Sequence, residues 1–285
     1  PGRQCYVVDM RQGELVGTLD ASNGEHFCGH GCMSGDGQLL FLTCYAFDRR
    51  MGVVAVHQTR PPFRKITQFD TRGVDPHQLA LLPDGETLVV ANGGILTHPD
   101  SQREMLNLDT MAPSLVYLRA QSGEVVDQVT PPHHQISLRH LAVSAAGSVV
   151  VGAQAHTPGI EAHPHPLVFQ HSPGSALREF AAESGDWRQM NQYIASIALS
   201  ADGHLALSTT PRGNLISLWD LPRNRLIKHF RVRDVAGATW ADTENSFLVS
   251  NGHGQLVYLR LSPEPQLELA AHTSDLHWDN HLGFV

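Results

Sequence analysis

The chain repeats one short pattern, in which an apolar strand, a tight turn and a second apolar strand follow one another. The turns contain Asp-Gly or a related pair, which supplies the positive φ angles of short hairpins, at residues 34–37, 83–85, 145–147 and 200–203. A third strand follows in several units, and a fourth often comes after another turn. Four short strands per unit, repeated at roughly 40–60 residues, are typical of a β-propeller. The repeat therefore predicts an all-β propeller.

The positions of the repeats predict the number of blades. We expect six first strands, which begin near His30, His77, His140, Ile197, Ala238 and His281. Residues 1–20 supply the last two strands of a further, incomplete blade, so the count is seven blades in one domain over residues 1–285. The last blade is expected to contribute its inner strand at residues 281–285. Because Pro1 stands directly before a strand, we expect an N-terminally truncated precursor.

Charge and composition narrow the classes of partner. The formal net charge is −8 and the chain has no basic tract, which argues against nucleic acid as a partner. No apolar run approaches the roughly 20 residues of a membrane-spanning helix. The disulfide state stays open: Cys28 and Cys32 are too far apart along a strand to pair, whereas Cys32 and Cys44 could face each other across a hairpin.

A long connection interrupts the third blade between residues 92 and 114. It contains Asn92-Gly93-Gly94 and a Thr-His-Pro-Asp turn around His98, and connections of this length are usually functional or disordered. We expect an ordered loop that covers the mouth of the central funnel, with Asn92 and His98 in the pocket. The alternatives are a decorated hairpin and a His98 that only caps its own loop.

Histidine recurs where first strands begin, at His30, His77, His140 and His281. First strands line the channel of a propeller, so these side chains are expected to converge on one funnel. Neutral imidazole is the commonest transition-metal ligand, and three or four imidazoles suit copper, iron or zinc. The sequence therefore predicts a metal site. The alternative is that each histidine bonds a neighbouring backbone carbonyl.

Four further polar residues are candidates for the same funnel, namely Arg139, Gln154, Arg212 and Asp234. Two arginines beside a ring of histidines favour an anionic ligand such as a carboxylate. A turn residue that points to water is the alternative for Arg212. The chain has no Gly-x-Ser-x-Gly elbow, no phosphate-binding Gly-x-x-x-x-Gly-Lys loop and no His-Glu-x-x-His motif.

Several of these motifs together resemble one bacterial family, catalogued as domain of unknown function fifteen-thirteen. The resemblance runs through Gly-His-Gly, Pro-His-Gln-Leu, Ala-Asn-Gly-Gly-Ile-x-Thr-His-Pro-Asp, Arg-His-Leu-Ala-Val and Trp-Asp-Asn-His-Leu, and covers residues 1–285. It implies a seven-bladed exported propeller in the periplasm, with other iron-uptake proteins as partners. The export signal and an upstream Gly-His-Gly segment of the family are not in this chain, and Cys28 and Cys32 replace its usual neighbours of Gly-His-Gly.

Three functions remain as hypotheses. The first is a periplasmic propeller that binds a metal ion or a small iron-bearing or anionic ligand at its histidines, for iron or metal acquisition. The second is a metal-dependent enzyme, either a lactonase-like hydrolase or an oxidoreductase, although no glutamate stands at a blade start. The third is an interaction scaffold that docks through the long loop. Fold alone does not choose among them.

Overall fold

The fold is all-β. A computed structural model describes residues 2–98, 100, 104–156, 164–273, 275, 277–279 and 281–283. Its strands are β1 (Gln4–Asp9), β2 (Glu14–Asp20), β3 (Glu25–Met33), β4 (Leu39–Ala46), β5 (Met51–Gln58), β6 (Lys65–Asp70), β7 (Pro76–Leu81), β8 (Thr87–Asn92), β9 (Ser114–Arg119), β10 (Val125–Val129), β11 (Ile136–Val143), β12 (Val149–Ala155), β13 (Val168–His171), β14 (Arg178–Glu179), β15 (Ser196–Leu199), β16 (Leu205–Thr210), β17 (Leu215–Asp220), β18 (Arg225–Arg231), β19 (Val235–Ala241), β20 (Ser246–Asn251), β21 (Gln255–Arg260) and β22 (Gln266–His272). The α-helix of these residues is α1 (Ser184–Gln189), inside the stretch 176–190 where the sequence favours a short helix.

The strands form sheets in which neighbours along the chain are also neighbours in space. Strands β1 and β2 pair as a two-stranded sheet, and β3–β6, β7–β10, β11–β14, β15–β18 and β19–β22 form four-stranded sheets. This up-and-down order is that of a propeller blade, so the predicted all-β, propeller-like fold is confirmed. The seven-blade count and the N-terminal truncation stay predictions.

The burial of individual strands distinguishes the interior of a sheet from its solvent edge. Every residue of β8 is buried, and the strand reads Thr-Leu-Val-Val-Ala-Asn, a nearly continuous apolar run suited to a sheet covered on both faces. Every described residue of β22 is exposed, so the fourth strand of that sheet is its solvent edge. The predicted turns are also present, because Gly37, Gly85 and Gly147 all have φ between 69° and 81°.

The chain divides into two compact units, Pro1–Arg139 and His140–Val285, and strand β11 crosses the boundary between them. In the first unit, Phe41, Val54 and Leu88 belong to one buried cluster. In the second unit, Phe247 and Ile216 belong to another. The prediction of a single domain stays a prediction.

The four cysteines are free thiols. Burial raises the pKa of Cys32 and of Cys44 to about 12, although backbone hydrogen bonds and, at Cys44, nearby Lys65 oppose that rise. A thiol with so high a pKa is protonated at neutral pH and is a poor nucleophile and metal ligand. The disulfide that the sequence left open between Cys32 and Cys44 is not formed in this structure.

The long connection of the third sheet joins β8 to β9 through residues 93–113, where the sequence predicts it. Asn107 braces its two sides: the Leu96 amide donates to Asn107 Oδ1 at 2.7 Å, and Asn107 Nδ2 donates to the Gly94 carbonyl at 2.9 Å. Gly94 has φ +76°, and a Cβ there would lie 2.5 Å from the backbone nitrogen of Pro113. Pro99 and residues 101–103 lie outside the described residues, so order along the whole loop stays a prediction.

We expect Gly94→Ala to lower the free energy of unfolding by about 3 kcal/mol or more, because it adds a backbone clash to the 1–2 kcal/mol of left-handed strain. Chemical denaturation measures the change. The matched control is Gly147→Ala, where φ is +81° and nothing lies within 4 Å of an added Cβ. Equal losses at the two sites would show that the loop backbone can move away from Gly94.

Candidate metal centre

In the first unit, His30 and His77 both lie at β-bulges of first strands. The register of β3 against β4 shifts between Phe27 and Gly31, which leaves His30 outside the regular ladder. The register of β7 against β8 shifts in the same way between Pro76 and Gln78, around His77. A bulge turns a side chain away from the alternation of its strand and is frequent beside functional sites.

The two bulges bring the imidazole rings together. The ring centroids of His30 and His77 are 5.1 Å apart with 48° between the planes, and each ring offers a nitrogen within 4.8 Å of the other. The buried Thr43 hydroxyl lies 3.2 Å from the His30 carbonyl oxygen and 3.4 Å from that of His77, and so ties the two strands together. Two nitrogens on one zinc ion, at about 2.1 Å each, lie roughly 3.4 Å apart, so small ring rotations bring this pair to ligand distance.

Arg139 lies against this pair. Its Nη1 donates to Nδ1 of His77 at 3.2 Å, and its Nη2 lies 3.9 Å from Oδ2 of Asp75. A guanidinium has no acceptor, so Nδ1 of His77 carries no proton and the neutral ring carries its proton on Nε2. Burial raises the pKa of Asp75, and the charge of Arg139 opposes that rise.

The Asn-Gly-Gly segment supports Asp75. Asp75 has φ +54°, and its backbone carbonyl accepts a hydrogen bond of 2.7 Å from the Gly93 amide. A Cβ at Gly93 would lie 2.4 Å from Oδ2 of Asp75, so this glycine makes room for the carboxylate. Asn92 is fully buried, and its Nδ2 donates to the Thr71 carbonyl at 3.0 Å and to Ser114 Oγ at 3.1 Å. These bonds tie the end of β8 and the start of β9 to the connection between β6 and β7.

His98 contacts Phe47 and a backbone amide of its own turn. Its ring meets the ring of Phe47 edge-on at 5.5 Å, and its Nδ1 accepts a hydrogen bond of 3.3 Å from the Asp100 amide. These contacts are those of a residue that caps its own turn, the alternative that the sequence left open. A place for His98 in the ligand pocket stays a prediction.

In the second unit, His140 and His281 form another pair. Their ring centroids are 5.4 Å apart, and His140 is buried in β11. Burial lowers the pKa of His281 while the charge of Asp279 opposes the change, so the neutral form of the ring predominates at pH 7. His140 is a third histidine that could act as a ligand.

The residues around His281 lie beside the last sheet. Ser250 Oγ lies 3.5 Å from the Asp279 carbonyl, and a Cβ at Gly237 would lie 3.1 Å from Leu282 Cβ. His281, Leu282 and Gly283 are not in a strand, and Phe284 and Val285 lie outside the described residues. The inner strand expected at residues 281–285 therefore stays a prediction.

The other predicted ligand residues occupy two places in the second unit. Gln154 forms an isolated bridge with Tyr193, and the guanidinium of Arg212 lies 5.0 Å from the centre of the Tyr193 ring. Asp234 has φ +50°, and its Oδ2 would lie 2.1 Å from a Cβ at Gly252, which repeats the arrangement of the acidic residue and glycine described for the first unit.

The second unit also contains a series of hydrogen-bonded polar side chains that the sequence analysis did not predict. Ser217 Oγ lies 2.9 Å from Nδ1 of His229, and Nε2 of His229 lies 3.2 Å from Oδ1 of Asp186. This is the connectivity of a serine–histidine–aspartate relay, but Ser217 is fully buried and cannot reach a substrate. Oδ2 of Asp186 accepts a hydrogen bond of 3.0 Å from the Glu183 amide in the capping box of α1, so the series fastens this helix to β17 and β18.

The free energy of unfolding is expected to fall as the pH drops below about 6.5, partly through His229. Burial lowers the pKa of His229 although Asp186 opposes this, so the unfolded state binds the proton first and acid favours it. The loss begins near the unfolded pKa and is complete at the lowered folded pKa. Denaturant titrations from pH 8 to 5 measure it; an identical pH slope in His229→Gln would contradict this assignment.

Comparison with known proteins supplies a family and a fold. The family described as "Protein of unknown function (DUF1513)" matches residues 1–285. The crystal structure of a functionally unknown protein from Desulfotomaculum acetoxidans DSM 771 is similar, with TM-score 0.67 and 12% identity over 98% of this chain and 79% of that chain. At that identity the likeness shows a shared fold alone. No curated protein matches the chain. Among the described residues, no helix is long and apolar enough to cross a bilayer.

Proposed function

This chain belongs to the DUF1513 family, and because that family has no established activity, we propose its function from the chemistry of its histidines. The protein binds a transition metal ion through His30 and His77. The sequence pattern adds His140 and His281 to the proposed ligand set, since the repeat predicts them at equivalent starts of blades. The observation that carries the proposal is the His30–His77 pair, with ring centroids 5.1 Å apart.

The environment of the pair supports a ligand role. Neutral imidazole suits copper, iron(II) and zinc, and both rings lie at bulges held by the shared hydroxyl of Thr43. The hydrogen bond from Arg139 keeps the proton of His77 on Nε2 and the lone pair on Nδ1, so Nδ1 is the ligand atom once the guanidinium releases it. The affinity of such a site for divalent ions follows a fixed order that peaks at copper(II), so affinity alone does not identify the ion bound in the cell.

The cellular setting belongs to the same proposal. Resemblance to the family implies export to the periplasm and a role beside proteins of iron acquisition. A metal or iron-bearing ligand at the histidines fits that setting, and a protein that only holds its ligand needs no nucleophile. Elemental analysis of protein purified from the periplasm of its natural host identifies the ion.

Titration of metal-free protein with Zn²⁺, followed by calorimetry, tests the proposal. We expect one ion per chain and a dissociation constant on the order of 1 µM or lower, about −8 kcal/mol. Two ions per chain of similar affinity would show that the two histidine pairs act separately. No saturable binding of Zn²⁺, Cu²⁺ or Fe²⁺ would overturn the metal function.

A further inference from the structure

We propose that the same site binds a carboxylate anion on the guanidinium of Arg139. The anion and the metal bind cooperatively. The inference rests on the proposed metal function and adds the class of its second ligand. It starts from the hydrogen-bond donors of Arg139, which the first unit uses only in part.

Along one edge of its guanidinium, Arg139 has hydrogen-bond donors that no described residue uses. Its Nη1 is used by Nδ1 of His77, while Nη2 lies 3.9 Å from Asp75, beyond hydrogen-bond distance. Its Nε is buried and has no hydrogen-bond partner among the described residues. Nε and Nη2 point to the same side of the guanidinium, and that pair of donors binds a carboxylate with two parallel hydrogen bonds. Arg139 is 17% exposed, so the side chain is within reach of solvent.

Asp75 does not take the place of this anion. Its carboxylate is held against Gly93, where a Cβ would lie 2.4 Å from Oδ2. The backbone of Asp75 is fixed as well, by the Gly93 amide and by its left-handed φ of 54°. The aspartate thus balances the charge of Arg139 from one side and leaves the donors at Nε unpaired.

Electrostatics couples the anion to the metal. A guanidinium 3.2 Å from Nδ1 of His77 repels a dication on the His30–His77 pair and competes for that nitrogen. An anion bound between Arg139 and the metal neutralises this repulsion and draws the guanidinium away from the ring. Since coupling is reciprocal, the metal must raise the affinity for the anion by the same factor.

The probes are Co²⁺, whose visible spectrum reports its ligands, and acetate. Co²⁺ titrations of wild-type protein are run in sodium acetate and in sodium chloride at equal ionic strength. We expect a Kd roughly tenfold lower in acetate, within the usual range of coupling between two ligands. Arg139→Gln should bind Co²⁺ more tightly than wild type in chloride and lose the acetate effect. Arg139→Lys keeps the charge without the fork and should retain weak binding in chloride with a reduced acetate effect.

The outcomes separate this inference from the metal function. Co²⁺ binding that is equal in acetate and chloride, or an acetate effect that survives Arg139→Gln, overturns the anion site and leaves the metal function standing. If wild type binds no Co²⁺, thermal melts of metal-free protein decide the anion site, and the metal function fails if Zn²⁺, Cu²⁺ and Fe²⁺ do not bind either. A melting temperature that rises with acetate in wild type but not in Arg139→Gln then supports it, and equal melts overturn it.

Discussion

Replacing His77 with alanine is expected to weaken Zn²⁺ binding by at least about a hundredfold, because even outer partners of a ligand are worth 10–100-fold in affinity. The substitution removes one of the two rings whose centroids lie 5.1 Å apart, and with it one of the proposed ligand nitrogens. It also removes the acceptor of Nη1 of Arg139, so the guanidinium loses the hydrogen bond that holds it beside the His77 ring. Calorimetric titration of metal-free protein measures the loss.

The matched control is His204→Ala. His204 lies on the turn between β15 and β16 and its side chain is 69% exposed, so the substitution removes the same chemistry from the surface. Zn²⁺ affinity should stay as in wild type. Near-UV circular dichroism of His77→Ala checks that the fold persists. If a folded His77→Ala variant binds as tightly as the control, His77 is not a ligand.

The second large effect concerns stability. Glu25 opens β3, the strand of His30, and is 4% exposed. Its Oε1 lies 2.7 Å from Nη2 of Arg49 and its Oε2 lies 3.2 Å from Nζ of Lys65. Glu25→Ala leaves two cations without their carboxylate beside a buried position. We expect it to lower the free energy of unfolding by about 3 kcal/mol. This is the lower end for a broken buried pair, since Arg49 is half exposed.

Glu244→Ala is the control for that loss. Glu244 also pairs with an arginine, Arg260, at 2.6 Å, but it is exposed, and exposed ion pairs contribute about 1 kcal/mol or less. Urea denaturation of the two variants measures both changes. Losses of similar size would show that the Glu25 cluster is screened by water and adds no more than a surface pair.

Local patterns in the sequence were sufficient for the blades. Asp-Gly turns and apolar strands repeat within a few residues, and both depend on the backbone preferences of those residues. His30, His77 and His140 therefore lie in the first strands β3, β7 and β11, although β3 begins five residues before His30 and β11 begins four residues before His140. No strand is assigned at residues 281–283. The apolar run of β8 also fits its buried place.

The residues that contact the site histidines could not be predicted from local sequence patterns. Arg139 reaches His77 across 62 residues, and Asp186 reaches His229 across 43, and no local spacing encodes either contact. Bulges depend on how two strands pair, which a single strand does not reveal. Asp75 had a usable signal, since an aspartate before the first strand and an Asn-Gly after the second recur at Asp234 and residues 251–252.

The most direct test of a metal centre on His30 and His77 is anomalous diffraction from a crystal of the Zn²⁺-loaded protein, recorded above and below the zinc absorption edge. The proposal predicts one strong peak about 2.1 Å from a ring nitrogen of His30 and of His77, the usual zinc–imidazole distance. A peak on other residues, such as the stacked pair of His133 and His134, or no peak in protein that has bound zinc in solution, would contradict it.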